Sequence, residues 1–174
     1  MAIVKASYIK SSGGAKASIR YIAHRPGKDG AKITRTLWGI DGKMERTEAY
    51  QMIDAAEKGS LFYRLVFSPD PAKEDTDKDL FLRDITEQTM HTLEDRFGQK
   101  LSWVAASHQE HAPHRHVHVI AVVPGKLYAA DFQAMRQTAT EAGLWQRQEL
   151  NLAREHRQQE QERKEAQWER ERSR

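Results

Sequence analysis

Residues 114–125 read HRHVHVIAVVPG. β-Branched residues dominate the stretch and Pro124-Gly125 closes it, which predicts a strand. Side chains alternate between the two faces of a strand. His114, His116, His118 and Ile120 then share one face, and Val117, Val119 and Ala121 take the other. Apolar neighbours on both sides imply that the strand is buried. Imidazoles side by side inside a sheet are costly unless something satisfies them.

Working outward, LSWVAASHQ (101–109) predicts the preceding strand, and QEHAPHR (109–115) the turn that brings the chain back beside it. That places His108 near the His116/His118 pair. A divalent metal satisfies such a group well, because neutral imidazole is a good ligand and His-x-His positions reach one ion. Three protein ligands leave coordination positions open for a substrate oxygen. His111 and His114 sit in or beside the turn with Pro113 and Arg115, where a histidine can simply face solvent.

Further upstream, AIVKASYIK predicts a strand near 2–9, broken by SSGG. From Gly14 to His24, Ala15, Ile19, Ile22 and Ala23 follow helical spacing, and RPGKDG stops the helix. Residues 31–43 read as an extended segment or a hairpin turning at Asp41-Gly42. RTEAYQMIDAAEKGS (46–60) reads as a helix closed by Gly59, and LFYRLVFSPDP (61–71) as a strand ended by prolines. A longer helix is expected from about Thr76 to Phe97, with Asp77 and Asp79 near its positive end. The order β-α-β(β)-α-β-α-β-β gives an α+β domain: a central, largely antiparallel sheet flanked by helices, followed by a long charged C-terminal helix.

That last segment begins near Asp131 and has no obvious breaker except Gly143. Residues 154–174 carry seven basic and six acidic side chains and almost nothing apolar beyond Ala166 and Trp168. Such a sequence cannot bury itself, so a solvated, partly frayed helix projecting from the domain is expected. The expected division is a folded domain over 1–128 and a helical, highly charged extension over 129–174.

The chain has 174 residues, 39% of them apolar, which suits one domain with one core. There is no cysteine, so disulfides and thiolate metal sites are excluded. No apolar run approaches the roughly 20 residues of a membrane span. The N-terminus lacks a secretory leader pattern, so a cytoplasmic location is expected. The net charge of +3 hides an asymmetry: residues 1–38 carry eight basic side chains against one acid, Asp29. This fits contact with a polyanion, and equally a well-solvated basic surface.

Tyr21 lies about 200° around the first helix from Ile19, off the core stripe and on a face with Ser18 and His24. An exposed tyrosine among Arg20, Arg25 and Lys28, beside a metal site, suggests a nucleophile. Nearby cations favour the attacking phenolate form. Tyr8, on the first strand, reads as a packing residue. Trp38 reads as core, with base stacking as its alternative.

These residues resemble a known family. His116-Val117-His118 matches the His-hydrophobic-His motif of the HUH endonucleases, and HQEHAPHRHVH (108–118) resembles the three-histidine motif of plasmid mobilisation relaxases. GAKASIRYIAHRPGK (14–28) resembles their N-terminal tyrosine motif. YRLVFSPDP and DRFGQKLSWVAASHQE are similar to further segments, so the likeness spans roughly residues 1–124. In relaxases the tyrosine precedes the histidines, as here. In replication initiators and small transposases of the class it follows them.

The resemblance implies site- and strand-specific DNA nicking and rejoining at a transfer origin, which initiates conjugative mobilisation. Tyr21 would form a 5′-phosphotyrosine adduct without ATP. His108, His116 and His118 would hold Mg²⁺ or Mn²⁺; by affinity order the all-histidine set also suits Zn²⁺ or Ni²⁺. Glu110 stands where many relaxases carry an aspartate, and would orient an imidazole or tune the metal. Some relaxases use a histidine nucleophile, which makes His24 the alternative. Lys16, Arg20, Arg25, Lys28, Lys32 and Arg35 would hold the backbone of single-stranded or extruded DNA. The expected protein is a monomer that works with relaxosome accessory proteins. Three rival expectations remain: a metal-dependent nuclease or phosphodiesterase using water, a non-catalytic DNA-binding accessory protein, and a structural metal protein without DNA.

Overall fold

Ten elements follow one another in the structure, a computed structural model that describes residues 1–27, 29–109 and 114–173. They are β1 (Ile3–Ile9), α1 (Ser12–His24), β2 (Leu37–Gly39), β3 (Gly42–Met44), α2 (Arg46–Asp54), β4 (Leu61–Ser68), α3 (Leu82–Phe97), β5 (Ser102–His108), β6 (His116–Val123) and α4 (Ala129–Arg172). The strands form one six-stranded sheet in the order β1-β4-β6-β5-β2-β3, and every pairing is antiparallel. This is the expected α+β architecture.

β6 lies between β4 and β5 and is buried from Val117 onward. That position explains its unbroken apolar run. Val117, Val119, Ala121 and Val123 face a core closed by Leu82, Ile85, Met90 and Leu93 of α3 and by Met135, Ala139 and Ala142 of α4. Ile120 and Val122 face a second core, against Ala15, Ile19, Ile22 and Ala23 of α1 and Ala49 and Ile53 of α2. Each fully buried Ile or Leu contributes about 1.5–3 kcal/mol. The histidine face of β6 is therefore the face that α1 and α2 cover.

Several boundaries differ from expectation. The serine-glycine stretch does not merely break β1; the Ser11 side chain accepts from Gly14 N at 3.1 Å and caps α1. α2 stops at Asp54, and Gly59, at φ 93°, serves the turn into β4 instead. α3 begins at Leu82 rather than near Thr76. Lys78 has φ 57°, which no right-handed helix accommodates. Asp77 and Asp79 consequently bind Arg147 and Arg154 of α4 and not a helix end. Gly98, at φ 65°, ends α3 as expected.

Tyr8 is not core: β1 is an edge strand, and Tyr8 is exposed, meeting Tyr63 edge-on with centroids 5.8 Å apart. Trp38 is core, buried against Trp103. His114 precedes β6 in an exposed bend instead of sharing the strand's histidine face. His111 lies outside the described residues.

α4 runs unbroken through Gly143, where a Cβ would come within 3.3 Å of the Glu74 side chain. Glycine there lets a helix approach a buried carboxylate closely. Every described residue from Glu155 onward is exposed, as the charged composition requires. Among the described residues no helix is long and apolar enough to cross a membrane.

Candidate metal centre

The antiparallel register of β5 and β6 places His108 opposite His116, and Ala106 opposite His118. The three rings come together at the end of the hairpin. Ring centroids are 4.5 Å apart for His108–His118, 5.0 Å for His116–His118 and 5.5 Å for His108–His116. One ligand nitrogen from each lies within 4.8 Å of the other two. His108 and His118 are buried and His116 is half-buried.

Two of the rings are oriented by backbone carbonyls. His108 Nε2 donates to Ile22 O at 2.9 Å, and His116 Nδ1 donates to His114 O at 3.3 Å. In the neutral rings the lone pairs then sit on Nδ1 of His108 and Nε2 of His116. This is the arrangement by which outer hydrogen bonds set the tautomer of metal-binding histidines. His118 differs. Both of its ring nitrogens are buried, with no hydrogen-bond partner among the described residues. Burial first, then His108 and His116, then Arg64 and Arg25, push its pKa down to about 3. A buried neutral imidazole with two unsatisfied nitrogens, facing two oriented imidazoles, suits a divalent cation. The residues fit a metal ion.

The approach to the centre is held by a residue whose role the sequence did not suggest. Arg115, one position before His116, donates to both carboxylate oxygens of Asp75 at 2.8 and 2.6 Å, and to Leu80 O at 3.0 Å. Ser68 Oγ donates to Arg115 O at 3.2 Å. Both charged partners are nearly buried, so the start of β6 is pinned on its far side from the histidines' own contacts. An arginine between two histidines carries no signal for this.

α1 lies over the histidine face. Tyr21 is exposed, with the Arg25 guanidinium 5.6 Å from its ring centroid. Tyr21, Arg20, Arg25, His24, Pro26 and Lys32 line a cleft of about 870 Å³. Three of the expected DNA contacts thus gather around the expected nucleophile. Two others are engaged elsewhere. Lys16 pairs with Asp54 of α2 at 2.6 Å. Arg35 is buried, and its Nη1 donates to Arg25 O at 2.9 Å while its backbone N donates to Ala23 O at 2.9 Å, which fastens the end of α1. Lys28 and Glu110 lie outside the described residues. The His24 ring stands between Thr34 Oγ1, at 3.4 Å from Nδ1, and Arg46 Nη1, at 3.2 Å from Nε2. A guanidinium only donates, so the Nε2 lone pair of His24 is occupied.

Arg64 was not foreseen. It pairs with Ile120 across β4 and β6, on the histidine face, while Val66 pairs with His118. Lys5 of β1 pairs with Val66 on the same face. The only sequence signal is an arginine between apolar residues in a strand, and it names no neighbour. Tyr128 follows the opposite end of β6 from His116, away from the cluster. Compared with protein-family models, curated proteins and solved structures, the chain gives no match.

Proposed function

We propose that this protein is a metal-dependent DNA nickase and strand transferase of the relaxase type, with Tyr21 as nucleophile. The observation that carries it is the His108–Ile22 hydrogen bond, which joins a three-histidine cluster to the helical turn bearing an exposed tyrosine ringed by arginines. The family resemblance of the histidine and tyrosine motifs supports the same assignment.

In this proposal Tyr21 Oη attacks the scissile phosphorus. The bond from phosphorus to the 3′ oxygen breaks, and that oxygen leaves as a 3′-hydroxyl after taking a proton. The phenolic proton is released, and the strand's 5′ phosphate stays on Tyr21. Attack by the 3′-hydroxyl reverses the reaction. One phosphodiester replaces another, so no ATP is consumed. A divalent ion held by His108, His116 and His118 would supply Lewis-acid stabilisation of phosphate oxygen charge. Arg20, Arg25 and Lys32 hold the strand beside Tyr21, and Arg64 adds positive charge on the sheet face. His24 is the alternative nucleophile, available once Arg46 gives up its hydrogen bond to Nε2. Lys28 and Glu110 complete the DNA-binding and metal-tuning sets. A transfer-origin substrate, relaxosome partners and a cytoplasmic place belong to the same proposal.

The test is a denaturing gel with intact-mass analysis. Wild type and Tyr21→Phe are incubated with Mn²⁺ and single-stranded DNA tiled across the region beside the gene. The expected result is a protein band heavier by one oligonucleotide fragment, lost in Tyr21→Phe. Cleavage that persists in Tyr21→Phe without an adduct would replace the tyrosine mechanism by a water-dependent nuclease. Binding without cleavage under any metal would leave a DNA-binding protein.

A further inference from the structure

The cleft around Tyr21 adjoins a second one, and His24 lines both. The second cavity, of about 470 Å³, lies between the end of α1, the β2–β3 hairpin and the first turn of α2. Three cations line it: Arg35, Lys43 and Arg46. Thr34, Thr36 and Thr47 line it too, and among the described residues the one carboxylate is that of Glu45. Glu45 lies 2.8 Å from Lys43 and raises that ammonium's pKa. Among the described residues the cavity is therefore a cationic, hydroxyl-rich concavity whose one acid is already paired.

Arg46 is the telling member. Among the described residues it has no carboxylate partner. One of its nitrogens donates to His24 Nε2 at 3.2 Å. A guanidinium has five donors in a fork that matches phosphate oxygens. A single hydrogen bond to an imidazole is a weak tether beside the charge-assisted pair that a phosphate would offer. His24, which the tether touches, is also the wall shared with the Tyr21 cleft.

We propose that this cavity is a second backbone-phosphate subsite. It takes a phosphodiester group of the same strand whose scissile phosphate lies at Tyr21, so the strand passes from Tyr21 across His24 to Arg46, with Lys43 and the threonine hydroxyls beside it. The inference rests on the DNA-strand function proposed above. It adds residues from the hairpin and α2 that the basic N-terminal segment does not contain.

The test uses the full chain in EDTA, so that no cleavage intervenes. Anisotropy of a labelled single-stranded oligonucleotide is measured against salt for wild type, Arg46→Gln and Arg46→Lys. Arg46→Gln is expected to weaken binding about tenfold and to lower the salt slope by about 0.7, the value for one phosphate contact on a single strand. Arg46→Lys restores the slope and part of the affinity, because it keeps the charge and loses the fork. Metal affinity, followed by Co²⁺ titration, stays at wild-type level in both. An unchanged slope and affinity in Arg46→Gln, against a wild type that binds, overturns the subsite and leaves the nickase proposal standing. A wild type that binds no single strand overturns both. Chemical-shift changes around Arg46 with inorganic phosphate, alongside unchanged DNA binding in Arg46→Gln, would assign the cavity to a free anion and overturn it as a strand subsite.

Discussion

His108 Nε2 donates to the carbonyl oxygen of Ile22 across 2.9 Å, which joins the centre of the sheet to the last turn of α1. In a continuing helix that carbonyl would accept the N–H four residues on. The residue four on is Pro26, which has none. The neighbouring carbonyls are met from elsewhere: Arg25 N donates to Tyr21 O at 2.8 Å and Arg35 N to Ala23 O at 2.9 Å. Pro26 thus reserves one carbonyl for a histidine, and that bond sets the tautomer of His108 one residue from Tyr21.

Pro26→Ala supplies a competing N–H. The variant is expected to lose part of the Nε2–H population of His108 and to bind Co²⁺ or Zn²⁺ about tenfold more weakly, as removal of such outer partners does. Imidazole ¹⁵N shifts report the tautomer and metal titration reports the affinity. Wild-type shifts in the variant would show that the proline has no part in orienting the ring.

Metal-free protein should lose stability as pH falls below 6.5. The folded pKa of His118 is about 3 against 6.5 for the ordinary side chain, so the unfolded chain binds the extra proton first. A group of this kind adds stability above its unfolded pKa and loses it toward the folded one, at up to about 1.4 kcal/mol per pH unit. Urea unfolding between pH 7.5 and pH 4, with His118→Leu as control, measures the slope. Equal slopes in the two proteins would remove His118 as the cause.

Asp75→Ala leaves the Arg115 guanidinium nearly buried without its bidentate partner. Breaking a buried pair from one side costs about 3–5 kcal/mol. Because Arg115 precedes His116, the loss should appear both in chemical denaturation and as weaker metal binding. A destabilised variant with wild-type metal affinity would confine the pair to a structural role.

α4 divides into a packed half and a solvated one. Met135 is fully buried, and Met135→Ala should cost about 2–5 kcal/mol. Removing residues 155–174 should change the unfolding free energy by less than about 0.5 kcal/mol, since each of the described residues there is exposed. Denaturant midpoints of the two variants compare the halves directly. A truncation as damaging as Met135→Ala would mean that the charged segment supports the fold.

Much of this protein was legible from local pattern. Period-2 alternation identified β6 and put His116 and His118 on one face, and the short connection to β5 brought His108 beside them. Helical spacing separated the buried Ile19 and Ile22 from the exposed Tyr21. These are properties of neighbours along the chain, set by strand and helix geometry. Asp77 and Asp79 show where that logic stops: near a helix start they suggest a dipole contact, yet they answer to Arg147 and Arg154 some seventy residues on. Alternation likewise says that Arg64 shares a face with Val66, but only the β4–β6 register sets that face beside His118. Periodicity alone determined which residues belong together on an element. Tertiary structure decided which elements meet, because burial, ion pairing and hydrogen-bond satisfaction are settled between segments far apart in the chain.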